Sequence, residues 1–236
     1  MSINHLTHEW AQKNSLKSYF YPEISSTNDV AKLEFAKSKQ DFAIYLADKQ
    51  TRGRGRNQNT WSNMSNGEVL LSTWCFRSNA NPQPTLTPLL GLALYESLYI
   101  FDSALPLRLK APNDIYLGKG KLSGLLVEVV QQGGETLIFV GLGLNALGAP
   151  ETDVKTTSLD QFSETVKDQW PKFCMYLYNQ FQLAIEKGEK STLTSDDCDD
   201  FLEALNFGVP EDEQVQKVSP NCDLHTKNGV VSWMNL

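Results

Sequence analysis

The stretch from Lys121 to Asn145 places the tightest limit on how this chain can fold. Lys121-Leu122-Ser123-Gly124-Leu125-Leu126-Val127-Glu128-Val129-Val130 is a nearly continuous apolar run of strand length, and Thr136-Leu137-Ile138-Phe139-Val140-Gly141-Leu142-Gly143-Leu144-Asn145 is a second. Between them lies Gln131-Gln132-Gly133-Gly134-Glu135. A glycine pair there supplies the positive φ that a tight hairpin needs. Two long strands joined by so short a turn pair antiparallel. The first run, apolar almost throughout, is predicted to lie centrally in its sheet.

The remaining segments extend this pattern. Ser18–Tyr21, Phe42–Ala47, Glu68–Phe76, Leu107–Lys110 and Ile115–Leu117 read as further strands, with Ala111-Pro112-Asn113-Asp114 and Gly118-Lys119-Gly120 as turns. Helical periodicity predicts a helix from about Asn28 to Lys37, a second from Leu89 to Asp102, and a third through Trp170, Phe173, Leu177, Phe181 and Ala184. A short acidic helix from Asp196 to Asn206 is expected to be capped by Ser195 and closed by Gly208. Residues 1–16 read as a short helix or arm. Val209 to Leu236 holds only short β-like pieces, with Asn228-Gly229 as a hairpin turn. The expected class is α+β, a mixed and largely antiparallel sheet flanked by helices, since strict βαβ alternation is missing.

Charge singles out one loop. The 236 residues carry a formal net charge of -7, yet Arg52, Arg54 and Arg56 fall within five residues of Gln50-Thr51-Arg52-Gly53-Arg54-Gly55-Arg56-Asn57-Gln58-Asn59-Thr60-Trp61. The interleaved glycines oppose helix and let backbone N–H groups and guanidinium forks bend around an anion. A sequence pI near 5.0 argues against a surface that meets nucleic acid broadly. An RNA contact by the Arg-Gly loop alone is the competing reading.

Several classes are excluded. No apolar run reaches the roughly 18 residues of a membrane span, and Met1-Ser2-Ile3-Asn4-His5 has no signal-peptide character. Cys75, Cys174, Cys198 and Cys222 form no Cys-x-x-Cys pair, so neither a disulfide framework nor a metal site is expected, and a cytoplasmic setting fits. Only His5, His8 and His225 could serve a hydrolase triad, which gives Ser26 no sensible partner. Gly141-Leu142-Gly143 lacks the third glycine and the following helix of a dinucleotide loop. Taken locally, Ser26-Thr27-Asn28 is a helix cap, and Lys110 and Lys121 are solvated hairpin ends.

Taken together and in order, the motifs say more. They are Ser26-Thr27-Asn28, Gln50-Thr51-x-Gly53-Arg54-Gly55-Arg56 with Trp61, Lys110-x-Pro112-Asn113-Asp114, Lys121-Leu122-x-Gly124-Leu125-Leu126-x-Glu128 and Gly141-Leu142-Gly143-Leu144-Asn145. This set resembles the biotin–protein ligases (biotin–[acetyl-CoA-carboxylase] ligases), over roughly residues 18 to 146 and more loosely to the C-terminus. The resemblance implies the biotin/lipoate ligase catalytic fold, related to class II aminoacyl-tRNA synthetases, over residues 1–208, with 209–236 as a reduced C-terminal β segment.

It also implies a two-step reaction using ATP with Mg²⁺. Biotin's carboxylate attacks the α-phosphate, giving biotinyl-5′-AMP, and a lysine of a biotin carboxyl carrier protein then takes the biotinyl group. By the same resemblance Ser26, Thr27, Asn28, Gln50 and the backbone near Gly124 serve biotin's ring, and Gly53, also at the biotin site, lets the loop close. Arg54, Gly55 and Arg56 cover biotin's carboxylate and the phosphates, in a loop that closes over the intermediate. Lys121 bridges carboxylate and α-phosphate, Trp61 and Asn145 meet adenine, and Asn113 and Asp114 lie beside the reactive carbonyl. Asp114 orients the acceptor lysine, although a turn-stabilising Asp reads the same way.

The departures are Ala111, where the family often has Trp, Gln58 and Asn59, where Gly and Arg are common, and the short tail. The stretch before Ser26 is too short for a DNA-binding domain, so no nucleic-acid partner is expected, nor any membrane partner; a homodimer is left open. The rivals are a lipoate or octanoate ligase or transferase of the same superfamily and a biotin or adenylate sensor without turnover.

Overall fold

A computed structural model describes residues 1–55, 61–62, 64 and 67–236. Along the chain run α1 (Ile3–Lys13), β1 (Ser18–Ile24), α2 (Thr27–Phe35), β2 (Phe42–Gln50), β3 (Val69–Ser78), α3 (Leu86–Phe101), β4 (Leu107–Lys110) and β5 (Asp114–Leu117). They are followed by β6 (Gly120–Gln132), β7 (Glu135–Asn145), α4 (Val166–Lys187), α5 (Ser195–Asn206), β8 (Lys217–Val218), β9 (Asp223–Thr226) and β10 (Gly229–Ser232). The fold is α+β, as expected. Two compact units form, Met1–Asn81 with Gly120–Cys174, and Pro82–Lys119 with Met175–Leu236.

In the first unit β1 pairs parallel with β2, while β2 with β3, β3 with β7 and β7 with β6 are antiparallel. The sheet is therefore mixed and largely antiparallel. The β6–β7 hairpin closes through Gly133 and Gly134, both at positive φ (64° and 86°), which is why that turn was legible. Residues 121–130 form a strand inside the sheet, paired along β7, but they are not buried along their whole length. It is β7 that is buried from Thr136 to Asn145, whereas β6 opens to solvent in its second half, with Val129 42% exposed. On the face of Glu128 and Val130 the reason is the reach of the covering helix; Val129 points to the other face. Ala31 and Phe35 of α2 pack on Ala43, Tyr45, Cys75, Leu137 and Phe139, which belong to β2, β3 and β7, and Val130 of β6 lies only at the margin.

Helix α1 is fixed to this sheet by Asn4, whose Nδ2 donates to the Val69 carbonyl (2.9 Å) and whose Oδ1 accepts from the Leu71 amide (2.9 Å). The Trp170 indole of α4 donates to Thr7 (2.8 Å) on α1. All four cysteines carry free thiols, and burial pushes those of Cys75 and Cys174 up in pKa. Among the described residues no helix is long and apolar enough to cross a membrane.

In the second unit β4 and β5 form an antiparallel hairpin that ends at the Lys110–Asp114 pair, and α3 and α5 pack on β4. Thr194, not Ser195, caps α5. Its hydroxyl accepts from the Asp197 amide while the Asp197 carboxylate reaches back to the Thr194 amide, a closed capping box that Ser195 is one position too late to form. The last strands form the antiparallel order β10-β9-β8, with Lys227 and Asn228 as the turn and Gly229 (φ 123°) already pairing with Thr226, so the turn falls one residue earlier than expected. Trp233 is buried against Phe201, and its indole donates to the Pro112 carbonyl (3.0 Å).

Candidate functional site

The site grows from one face of the first unit's sheet. Side chains alternate along a strand, so Gly124, Leu126 and Glu128 on β6, Gly143, Gly141 and Phe139 on β7, and Leu71, Thr73 and Cys75 on β3 share that face in register. α2 lies over it, beginning at Ser26, whose extended backbone (φ −160°, ψ 132°) and hydroxyl cap the helix at the Asp29 amide (3.5 Å). The cap reading of Ser26 thus holds, and it turns the next two residues, Thr27 and Asn28, down into the sheet, where both are buried.

There they enter a continuous polar ladder. The Gln50 Oε1 at the end of β2 accepts from the Thr27 amide (2.6 Å) and lies 3.1 Å from its hydroxyl. The hydroxyls of Thr27 and Thr73 are 2.9 Å apart, and Thr73 donates to Asn28 Oδ1 at 2.5 Å. Asn28 Nδ2 donates to Glu128 Oε2 (2.9 Å) and towards the Leu126 carbonyl (3.4 Å). Lys32 Nζ donates to the other oxygen of Glu128 at 2.9 Å. Arg54, at the start of the arginine–glycine loop, is paired with Asp29 and lies 3.7 Å from Glu128. Burial would raise the Glu128 pKa, but the hydrogen bonds from Lys32 and Asn28 and the charges of Lys32 and Arg54 outweigh it and hold the carboxyl below its ordinary range.

A second cluster adjoins this ladder. Lys121 opens β6 beside the 155–157 segment, its amide donating to the Lys155 carbonyl (2.8 Å) and its carbonyl accepting from the Thr157 amide (3.1 Å). Its ammonium lies over the Trp61 ring, 5.5 Å from the centroid. The Trp61 amide donates to the Gly53 carbonyl at 3.0 Å, which ties the two ends of the loop together. Asn145 donates through Nδ2 to the carbonyls of Thr157 (3.0 Å) and Lys121 (3.3 Å). Two buried polar atoms here have no hydrogen-bond partner among the described residues: Asn145 Oδ1, an acceptor, and Trp61 Nε1, a donor.

The glycines of β7 join the clusters. A Cβ on Gly141 would lie 2.3 Å from Asn28 Oδ1, and one on Gly143 would lie 2.3 Å from the Trp61 ring. Two residues apart on one strand, these positions make a flat floor about 7 Å long. Gly141-Leu142-Gly143 is therefore a close-approach surface. A Cβ on Gly53 would likewise meet the Trp61 carbonyl at 2.9 Å and Gln50 Nε2 at 3.4 Å.

The structure brings together Ser26, Thr27, Asn28, Gln50, Gly53 and Arg54 at the ladder, and Trp61, Lys121 and Asn145 at the second cluster, with Gly124 opposite Gly143 in register. Gly55 is half-buried at the edge of the described loop. Arg56 lies outside the described residues, as do Gln58 and Asn59. Asn113, Asp114 and Ala111 belong to the second unit. Asn113 is in the turn and Asp114 opens β5 opposite Lys110.

Thr73, Asp29, Lys32 and the role of Glu128 emerge only in the folded chain. A hydroxyl and a carboxylate inside otherwise apolar strands were the available signal, since buried polar groups need partners.

The sequence profile of the Biotin/lipoate A/B protein ligase family matches residues 20–145. The biotin–[acetyl-CoA-carboxylase] ligase of Mycobacterium tuberculosis is 34% identical over 124 residues, covering 50% of this chain and 45% of its own. That of Paracoccus denitrificans is 35% identical over 132 residues, 53% of each. The chain thus spans about half the length of the curated relatives it matches. Among solved structures, the biotin protein ligase of Aquifex aeolicus in complex with biotin and ATP superposes with a TM-score of 0.65 at 22% identity, covering 91% of this chain and 94% of the other. At that identity the likeness shows the fold. The profile match covers more than half of the chain, and with it the chain belongs to the biotin/lipoate A/B protein ligase family.

Proposed function

We propose that this chain activates biotin with ATP to biotinyl-5′-AMP and transfers the biotinyl group to a lysine of a biotin carboxyl carrier protein. One observation carries the reading. A buried ladder of neutral hydrogen-bonding groups and a lysine–tryptophan–asparagine cluster with an unmatched donor and an unmatched acceptor lie side by side on the Gly141–Gly143 floor. Biotin's ureido ring is neutral and needs fixed donors and acceptors, which Thr27 and Gln50 supply. Adenine's amino group is a donor and its ring nitrogens are acceptors, the complement of Asn145 Oδ1 and Trp61 Nε1.

Lys121 stands beside the nucleobase cluster. Carboxylate attack on a phosphate brings negative charges together, and a fixed ammonium at that point stabilises the transition state. Arg54 is already committed to Asp29 and Glu128, so a ligand anion competes with those carboxylates for it. Arg56 is assigned to the same loop function. Asp114, with Asn113, orients the acceptor lysine. Among the described residues no three His, Cys, Asp or Glu side chains gather as a metal site. Mg²⁺ in such a reaction rides on the nucleotide phosphates and water.

The test is to incubate the protein with biotin, MgATP and a carrier domain, then resolve adenylate and modified carrier by mass spectrometry. Biotinyl-AMP and one biotinyl-lysine are expected. Product from lipoate or octanoate alone would replace the reading with that of a lipoate-type ligase.

A further inference from the structure

The polar ladder has a direction. An ionised carboxylate only accepts hydrogen bonds, so Asn28 must turn Nδ2 towards Glu128 (2.9 Å), which points Oδ1 at Thr73. A hydroxyl carries one proton, and the 2.5 Å contact to Oδ1 takes that of Thr73. Thr73 Oγ1 then accepts the Thr27 hydroxyl proton across 2.9 Å. Thr27 holds Gln50 Oε1 chiefly through its amide, at 2.6 Å, and its hydroxyl, 3.1 Å from the same oxygen, divides its proton between Gln50 and Thr73. Gln50 therefore keeps Oε1 towards the helix and Nε2 towards the loop side, where a Cβ on Gly53 would come within 3.4 Å of it.

We infer that Glu128 is a positioning residue whose carboxylate, acting through Asn28 and Thr73, fixes where the Thr27 hydroxyl directs its proton at the candidate ligand site, beside a Gln50 that the Thr27 amide orients. The groups facing Glu128 keep it charged: Lys32 and Asp29 from α2 and Arg54 from the loop, two cations against one other anion. A neutral group at 128 can offer an N–H instead, which leaves only the weaker 3.4 Å contact to the Leu126 carbonyl to keep Asn28 from turning over and reversing the hydroxyl bonds of Thr73 and Thr27, while the Thr27 amide donates to Gln50 in either case.

The inference rests on the biotin reading for its ligand, so the test has two arms. In the first, biotin and ATP kinetics of the activation step are compared for Glu128→Gln, Thr73→Val, Thr73→Ser and the Glu128→Gln/Thr73→Val double variant, with folding checked by circular dichroism. Thr73→Val keeps the shape and deletes the hydroxyl. It is expected to raise KM for biotin about tenfold or more, the usual effect of stranding a buried polar partner, with kcat and KM for ATP little changed.

Thr73→Ser should restore the biotin KM, and the double variant should be no worse than the weaker single one, because both cut one relay. An unchanged biotin KM in Thr73→Val, failure of Thr73→Ser to rescue, or additive losses would overturn the inference. The second arm needs no ligand. The side-chain amide NMR signals of Asn28 and Gln50 are followed as acid protonates Glu128. Both should move together in the wild type, and Gln50 should cease to follow in Thr73→Val; a Gln50 signal indifferent to Glu128 in the wild type overturns the relay. If the wild type does not respond to biotin at all, the proposed function falls, and the NMR arm still decides the relay.

Discussion

Gly141 and Gly143 sit two residues apart on one strand face, yet alanine at each should damage different things. At Gly143 the new methyl would lie 2.3 Å from the Trp61 ring, and ordinary contact begins near 3.4 Å, so the indole must retreat by about 1.1 Å. Trp61 is half-buried and leads out of the loop, so it can retreat at little cost to the fold. The melting temperature should fall by no more than about 3 °C, corresponding to about 1 kcal/mol in a chain of this size. The lysine–tryptophan contact and the seat for the nucleobase are lost, and KM for ATP should rise by about 5- to 150-fold, the equivalent of an overpacking cost of about 1–3 kcal/mol.

At Gly141 the methyl would lie 2.3 Å from Asn28 Oδ1 and 3.0 Å from its Cγ. Asn28 is held by Thr73 and Glu128 and cannot move without breaking those bonds. Here stability should drop by about 1–3 kcal/mol, or about 2–12 °C, and KM for biotin should rise while KM for ATP holds. Both are read from thermal melts and two-substrate kinetics of the activation step. Identical kinetic signatures for the two variants, or a normal KM for ATP in Gly143→Ala, would refute the division of the floor into two subsites.

Other expectations can be checked with simpler measurements. Lys121→Ala should cost at least about a hundredfold in activation rate, typical of losing a positioned charge in a dry site, with an unaltered circular dichroism spectrum; near-normal rates would show that the lysine is misassigned. Because the native Glu128 pKa is depressed from its ordinary 4.5, its contribution to stability is complete above that value and is lost as pH falls through the lower native one. Melting temperature should therefore fall less steeply in Glu128→Gln than in the wild type between about pH 5 and pH 3, and parallel profiles would contradict the sign. In the second unit, Thr194→Ala removes the capping hydroxyl that Asp197 also accepts from (2.7 Å), and should cost about 1 kcal/mol in denaturant unfolding. No loss there would mean that Lys187, 2.5 Å from Asp197, holds the helix start alone.

What could be read from the sequence followed its local chemistry. The Gly133-Gly134 turn and the Ser26 cap depend on residues within a few positions of each other, and both are where the sequence put them. So are the apolar stripe of α4 and the run of β7. Errors arose where the deciding partner was elsewhere. Residues 121–130 look as buried as 136–145, but only the packing of α2 tells which strand is covered on the face of Glu128 and Phe139. Thr194 outcompetes Ser195 because Asp197 lies three residues after it. Glu128 meets Asn28 and Lys32 from 100 and 96 residues away, and Thr73 reaches Asn28 across 45, so no window of sequence displays the ladder. Gly141 and Gly143 could be seen as glycines in a strand, a sign of close approach, without any indication that Asn28 and Trp61 are what approaches.

Biotin-dependent exchange of labelled pyrophosphate into ATP tests the central claim most directly, because it reports adenylate formation without needing the acceptor protein. Exchange is expected with biotin, with none or far less from lipoate and octanoate, and it should be lost in Lys121→Ala. Absence of exchange with biotin in folded wild-type protein, or exchange undiminished in Lys121→Ala, would contradict it.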